Sequence, residues 1–131
     1  MADGIVMIFD TDIFIWVQHG NVKAARLMEK EDQRLLSLQT YLELLQGARN
    51  KSQHDRTIDF LKDFEFKVLP LTENIGHRAA VYIEEYAVTH GLRAGDAIIA
   101  ATAVENNLPL CSSNTKHFKA IKELKLRAFN P

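Results

Sequence analysis

The sequence predicts an α/β fold, a three-layer α/β/α sandwich around a mainly parallel central sheet. Two observations carry this expectation. Five short apolar runs recur along the chain, and they read as strands buried on both faces rather than as alternating surface strands. Longer segments between them repeat their apolar residues every three or four positions, the spacing of amphipathic helices. Strands that alternate with helices in this way form parallel sheets covered on each side.

The expected strands are Ile5 to Phe9, Leu35 to Leu38, Phe66 to Leu69, Pro109 to Cys111 and Leu126 to Phe129. Thr40 to Arg49 is helical by its spacing, with Leu42, Leu45 and Ala48 on one side. Ile75, Ala79, Tyr82, Ile83 and Tyr86 mark a second helix that His90-Gly91 ends. A third, Asp96 to Asn107, carries Ala97, Ile98, Ile99, Ala100, Ala101 and Ala103 and is apolar almost all round, so it should be deeply buried. Ala48 to Asp55 (ARNKSQHD) is polar enough for a surface turn between helices.

With 131 residues, 47% of them hydrophobic, the chain reads as one domain spanning residues 1–131. The 16 Lys and Arg nearly balance 17 Asp and Glu, which excludes a general electrostatic pull toward nucleic acid or membrane. Any binding face must be local. The single cysteine, Cys111, cannot form an internal disulfide and reads as core, as suits a reducing compartment. The N-terminal apolar stretch is too short for a secretory or membrane-spanning segment, so a soluble, cytoplasmic protein is expected.

Against this background the stretch IFDTDIFIW stands out, because an apolar run stops on two carboxylates one residue apart and then resumes. In a parallel sheet the carboxyl ends of the strands share one edge, where ligands bind. Asp10 sits directly after the first strand, Glu43 lies on the first turn of the helix after the second, Asp96 opens the helix before the fourth, and Asn114 follows the fourth. All four should converge.

Each has an ordinary reading as well. Thr40 to Glu43 fits a capping box, Asp96 and Asn114 fit N-caps, and Asp12 fits the cap of a helix beginning at Ile13. Asp10 fits no cap so easily. Carboxylates gathered in a partly dry pocket raise one another's pKa or hold a cation. Oxygen donors without zinc-spaced His and Cys favour Mg²⁺ or Mn²⁺, ions suited to phosphodiester cleavage. Asp10 is accordingly expected to serve a metal.

The blocks IFDTDIFIW, SLQTYLELLQGA and GDAIIAATAVENNLPLCSSNTKHF, in this order and spacing, resemble the PIN-domain ribonucleases, most closely the VapC-type toxins of toxin–antitoxin pairs. The likeness covers nearly the whole chain. It implies catalytic roles for Asp10, Glu43, Asp96 and Asn114, with Asp10 and Asp96 on Mg²⁺ or Mn²⁺ and RNA as the substrate of an endonuclease. Thr11 would hold a water or phosphate oxygen, and Asp12 would support the site from behind. The resemblance also implies a VapB-type antitoxin that blocks the pocket, often with an Arg against the carboxylates, and a homodimer. Asn114 departs from relatives that carry Asp there, which leaves one fewer charge for a second ion.

Lys116, Lys119, Lys122, Lys125 and Arg127 form the clearest local excess of positive charge. A solvated face is the ordinary reading, and RNA contact by Lys116 and Lys119 the functional one, with Arg49, Lys51 and Arg56 as an extension. His117 reads as a packing or capping residue, and His19 and His90, each before Gly, as helix C-terminal residues. Phe14, Trp16 and Val17 read as core, although the resemblance places antitoxin or dimer contacts in that region. Competing functions are a catalytically inactive PIN-fold binding module, a phospho-receiver-like domain, and a haloacid-dehalogenase-like phosphatase suggested by the DTD motif.

Overall fold

A computed structural model describes residues 6–131. The elements in chain order are β1 (Met7–Phe9), α1 (Thr11–Gln18), α2 (Val22–Lys30), β2 (Arg34–Ser37), α3 (Leu38–Gln46), α4 (Lys51–Asp63) and β3 (Phe66–Leu69). They continue with α5 (Glu73–His90), α6 (Ala94–Glu105), β4 (Leu110–Ser112), α7 (Thr115–Phe118) and β5 (Leu126–Ala128). Ile5, expected to open the first strand, lies outside the described residues. The five strands form one sheet in the order β3-β2-β1-β4-β5, and every pairing is parallel.

Successive side chains on a strand point to opposite faces of a sheet, and here that alternation feeds two cores. Ile8, Leu35 and Leu110 belong to one cluster with Ile75, Ala79 and Tyr82 of α5 and Ala97, Ala100, Ala101 and Ala103 of α6. Their strand neighbours Phe9, Leu36 and Cys111 belong to another, with Ile13 and Phe14 of α1, Met28 of α2, Leu44 of α3 and Leu61 of α4. A strand with both faces covered has no solvent side, which is why these runs are apolar without a gap. The three-layer expectation is met. Cys111 is buried, and burial is the main cause pushing its thiol up to about 12, so it is an inert core residue.

Several boundaries differ from the sequence-based expectation, each for a local reason. The expected turn from Ala48 to Asp55 is short, because α4 begins at Lys51 with Asn50 as its N-cap, the Asn50 side chain accepting from Gln53 N at 2.9 Å. Only Leu61 of α4 is buried, so its apolar periodicity is faint. Asn21 caps α2 in the same way, and Ala24 and Met28, four apart, are its buried residues. The sequence reading does not anticipate that helix. Ser37 ends β2 and also caps α3, accepting from Thr40 N at 3.0 Å, so the helix begins at Leu38 and the Thr40 to Glu43 capping box does not form. Gly91 closes α5 in the left-handed region at φ 68°, as its place after His90 suggests.

Leu36 is fully enclosed beneath the second helical layer. Leu36→Ala is expected to remove about 2–5 kcal/mol of stability, read as a lower urea midpoint with an unchanged m-value.

Candidate active site at the sheet switch point

Strand succession runs β1, β2, β3 to one side and resumes with β4, β5 on the other, so the order reverses between β1 and β4. Ligands of open α/β sheets bind in the crevice at the carboxyl ends beside such a reversal. Asp10 and Ser112 to Asn114 stand at those two strand ends.

Each member of Asp10-Thr11-Asp12 reaches a different target. Asp10 is the N-cap of α1, against the sequence-based expectation that Asp12 would cap. Its Oδ1 accepts from Thr11 N at 2.8 Å and its Oδ2 from Ser112 Oγ at 2.7 Å, with only 5% of the residue exposed. Asp12, in the first turn of α1, accepts from Ser113 N at 2.9 Å and from the Ser113 hydroxyl, which also receives the Trp16 indole N–H at 3.2 Å. Asp12 Oδ1 is buried without a hydrogen-bond partner.

Thr11 turns toward α3. Its hydroxyl donates to Glu43 Oε1 at 2.5 Å, and Thr40 Oγ1 lies 3.1 Å behind it, with Ser37 Oγ a further 3.2 Å away. Since each hydroxyl has one proton, the chain is satisfied by donation from Ser37 to Thr40 to Thr11 to Glu43. Gln39 Nε2 donates to the other Glu43 oxygen at 3.0 Å. Glu43 is on the second turn of α3 rather than its first, and its carboxylate bonds to Thr11 and Gln39 rather than closing a capping box.

Asp96 is the third residue of α6, whose N-cap is Arg93, so it sits inside the first turn and does not cap. There the helix dipole favours its charge. His117 Nδ1 lies 3.0 Å from Asp96 Oδ2 and 3.1 Å from Asn114 Nδ2. One ring nitrogen cannot donate and accept at once, so a proton on Nδ1 serves Asp96 and requires the Asn114 amide to present its oxygen. His117 thus faces Asp96, in place of the packing or capping role that its sequence context suggests. Asn114 occupies the N-cap position of α7, but its side chain makes no cap bond.

The acids burden one another. Asp10 is pushed up to about 7, first by burial and then by Asp12, with a smaller push from Asp96 against the lowering bonds from Ser112 and Thr11. Asp96 is also raised, first by burial and further by Glu43, against the pull of His117. Among the described residues no ion pair includes Asp10, Asp12 or Glu43. No three His, Cys, Asp or Glu side chains among the described residues are gathered tightly enough to enclose an ion by themselves.

Lys116 and Lys119 are exposed on and just after α7, the helix that carries Asn114 at its start. Lys125 instead donates to Asn107 at 3.2 Å, behind α6 and away from the acids, so the basic run does not form one continuous track. A cleft of about 770 Å³ runs from Glu43 between α1, α3 and α4, with Phe14, Val17 and Phe60 as apolar lining and Arg49 and Arg56 as its cations. Ser112, Ser113 and Gln39 are contacts that the sequence reading missed. The Ser-Ser pair at the end of the fourth strand is the available signal for the first two.

The PIN domain family model matches residues 7–124. The chain is 31% identical over 127 residues to a ribonuclease VapC from Rickettsia bellii, covering 92% of this chain and 93% of that one. A toxin–antitoxin complex from Klebsiella pneumoniae contains a chain similar at 32% identity and TM-score 0.76, covering 91% of this chain and 95% of the other. VapBC2 from Rickettsia felis, bound to a promoter DNA fragment, shares the fold at TM-score 0.79 and 22% identity, over 96% of this chain and 100% of that one. A domain match over most of the chain, a likeness to VapC ribonucleases and a shared sheet architecture place this chain in the PIN-domain family, among its VapC-type members.

Proposed function

We propose that the protein is a Mg²⁺- or Mn²⁺-dependent endoribonuclease that acts as the toxin of a VapBC-type pair. The observation that carries the reading is the set of mutually repelling carboxylates at the sheet reversal, largely without compensating cations, in a chain whose relatives are named ribonucleases.

The donor set fits a hard, hydrated divalent ion. Mg²⁺ keeps several waters and takes one or two carboxylates, and Asp10 and Asp96 would offer it oxygen donors only. Asp10 and Asp96 would hold the ion, and the buried, unpartnered Asp12 oxygen adds negative potential behind them. When bound, the ion supplies charge neutralisation on the phosphate and an activated water. The remaining tasks fall to the chain. Thr11 fixes Glu43 at one oxygen and Gln39 fixes it at the other, leaving lone pairs of that carboxylate to orient or deprotonate water. The N-terminus of α6 favours an incoming phosphate, and Lys116 and Lys119 attract the RNA backbone beside Asn114.

Asp12 acts indirectly, through Ser113, by holding the loop that presents Asn114. An antitoxin segment laid along the cleft beside Glu43 would cover the acids, and toxin–antitoxin complexes among the similar solved structures support such a partner. The proposal includes RNA as substrate, a homodimer and a cytoplasmic location. No helix among the described residues is long and apolar enough to cross a membrane. A receiver-like sheet would flank the first strand with the second and third, whereas β1 here lies between β2 and β4, and the haloacid-dehalogenase reading falls with the family assignment.

Asp10→Asn and Asp96→Asn keep the shape of the side chain and remove its charge. Each is expected to lower cleavage of labelled RNA at saturating Mg²⁺ at least about 100-fold while the protein still melts cooperatively. Parental cleavage by either variant would refute the assignment. Glu43→Gln should also impair cleavage, with its melting temperature measured alongside because Thr11 and Gln39 both bond to it.

A second prediction concerns the metal-free protein. Asp10 shifts from 3.8 to about 7 on folding, so between those values the native state binds more protons than the unfolded chain. Stability therefore falls as pH rises from 4 to 7 and levels off above. The loss is at most about 4 kcal/mol for this group. In EDTA the melting temperature should drop between pH 5 and pH 8, Asp10→Asn should flatten that drop, and added Mn²⁺ should restore stability at pH 8. A melting temperature in EDTA that is flat across this range would contradict the buried-charge account.

A further inference from the structure

Helix α6 opens Ala94-Gly95-Asp96, and its backbone does not call for glycine, because Gly95 lies within the helix and has no positive φ. Glycine is a poor helix former. What is special is the space beside it. A Cβ at Gly95 would stand 2.7 Å from Glu43 Oε2 and 3.2 Å from Gln39 Nε2. The other helical glycine of comparable setting, Gly76 in α5, would meet nothing within 4 Å.

The atom that an alanine methyl would strike is the tip of a flexible side chain, so the fold can yield. What must yield is the carboxylate. Glu43 is held there by Thr11 at 2.5 Å and Gln39 at 3.0 Å, and moving it breaks one or both bonds. We infer that Gly95 is a positioning residue, whose bare backbone forms a slot with Gln39 that seats the Glu43 carboxylate against the first turn of α6, beside Asp96. The slot joins two helices across the candidate site without any basic residue, so the acids are spaced by sterics and neutral donors. This inference rests on the nuclease reading only for its effect on rate.

Variants at Gly95, Gly76 and Glu43 test it. Gly95→Ala is expected to lower kcat/KM for RNA about 100-fold, the scale of an ångström's misplacement, with an equal or higher melting temperature. Gly76→Ala, the control, should melt higher and cleave as the parent does. In a Glu43→Asp background, where the shorter side chain withdraws from the slot, Gly95→Ala should bring no further loss. Parental cleavage by Gly95→Ala, or the same fold-loss in both backgrounds, overturns the inference.

If the parent itself cuts no RNA, the nuclease reading fails separately and melting decides the slot. Gly95→Ala should then raise the melting temperature about 2 °C more in a Glu43→Ala background than in the parent. Equal shifts in the two backgrounds, or failure of Gly95→Ala to fold in either, overturn the slot.

Discussion

The constraint on which the candidate site depends is repulsion between a buried acid, Asp10, and half-buried acids near the same edge of a parallel sheet. Asp10 lies almost wholly out of water, beside Asp12 and within the field of Asp96, and its carboxyl is pushed up to about 7. The fold tolerates this through neutral donors: the Ser112 hydroxyl and Thr11 N–H on Asp10, the Ser113 N–H and hydroxyl on Asp12, and Thr11 and Gln39 on Glu43. Such groups satisfy lone pairs without cancelling charge, so hydrogen bonding is largely complete while electrostatics is not.

The topology explains why those acids lie within one another's field. The two strands that deliver Asp10 and the Ser112 to Asn114 segment are neighbours in the sheet, though their contact pair Asp10 and Ser112 is 102 positions apart in the chain. The helices complete the ring from outside: α3 follows β2 on one layer and brings Glu43, while α6, on the other layer, brings Asp96. The site is thus a meeting of both helical layers above the sheet edge. Neither layer alone contains it.

Much of this was legible in the chain because it depends on residue type and order. Apolar runs marked the strands, an alanine-rich run marked the deeply buried α6, and Asp10, Glu43 and Asp96 stood out as acids at strand ends and helix starts. Caps were less legible, because one residue can serve two elements, as Ser37 does in ending a strand and capping a helix, and because Asp10 caps α1 directly after β1 with no residue between them. The polar face of α4 hid it, since a helix with one buried side chain leaves little periodic signal. Partner identity was the least legible. Nothing in the local sequence of Gln39, Ser112 or His117 says which acid each one meets, because those contacts exist only after the chain has folded.

The Trp16 indole, the chain's one tryptophan, donates its N–H to Ser113, and Ser113 in turn is bound by Asp12. That places an intrinsic fluorophore one hydrogen bond from the loop that carries Asn114. Any rearrangement of this loop, whether by an ion, a strand of nucleic acid or a partner chain, changes the polarity around the ring and hence its emission. The protein therefore contains a built-in optical reporter of its own site, without a label or an added second tryptophan.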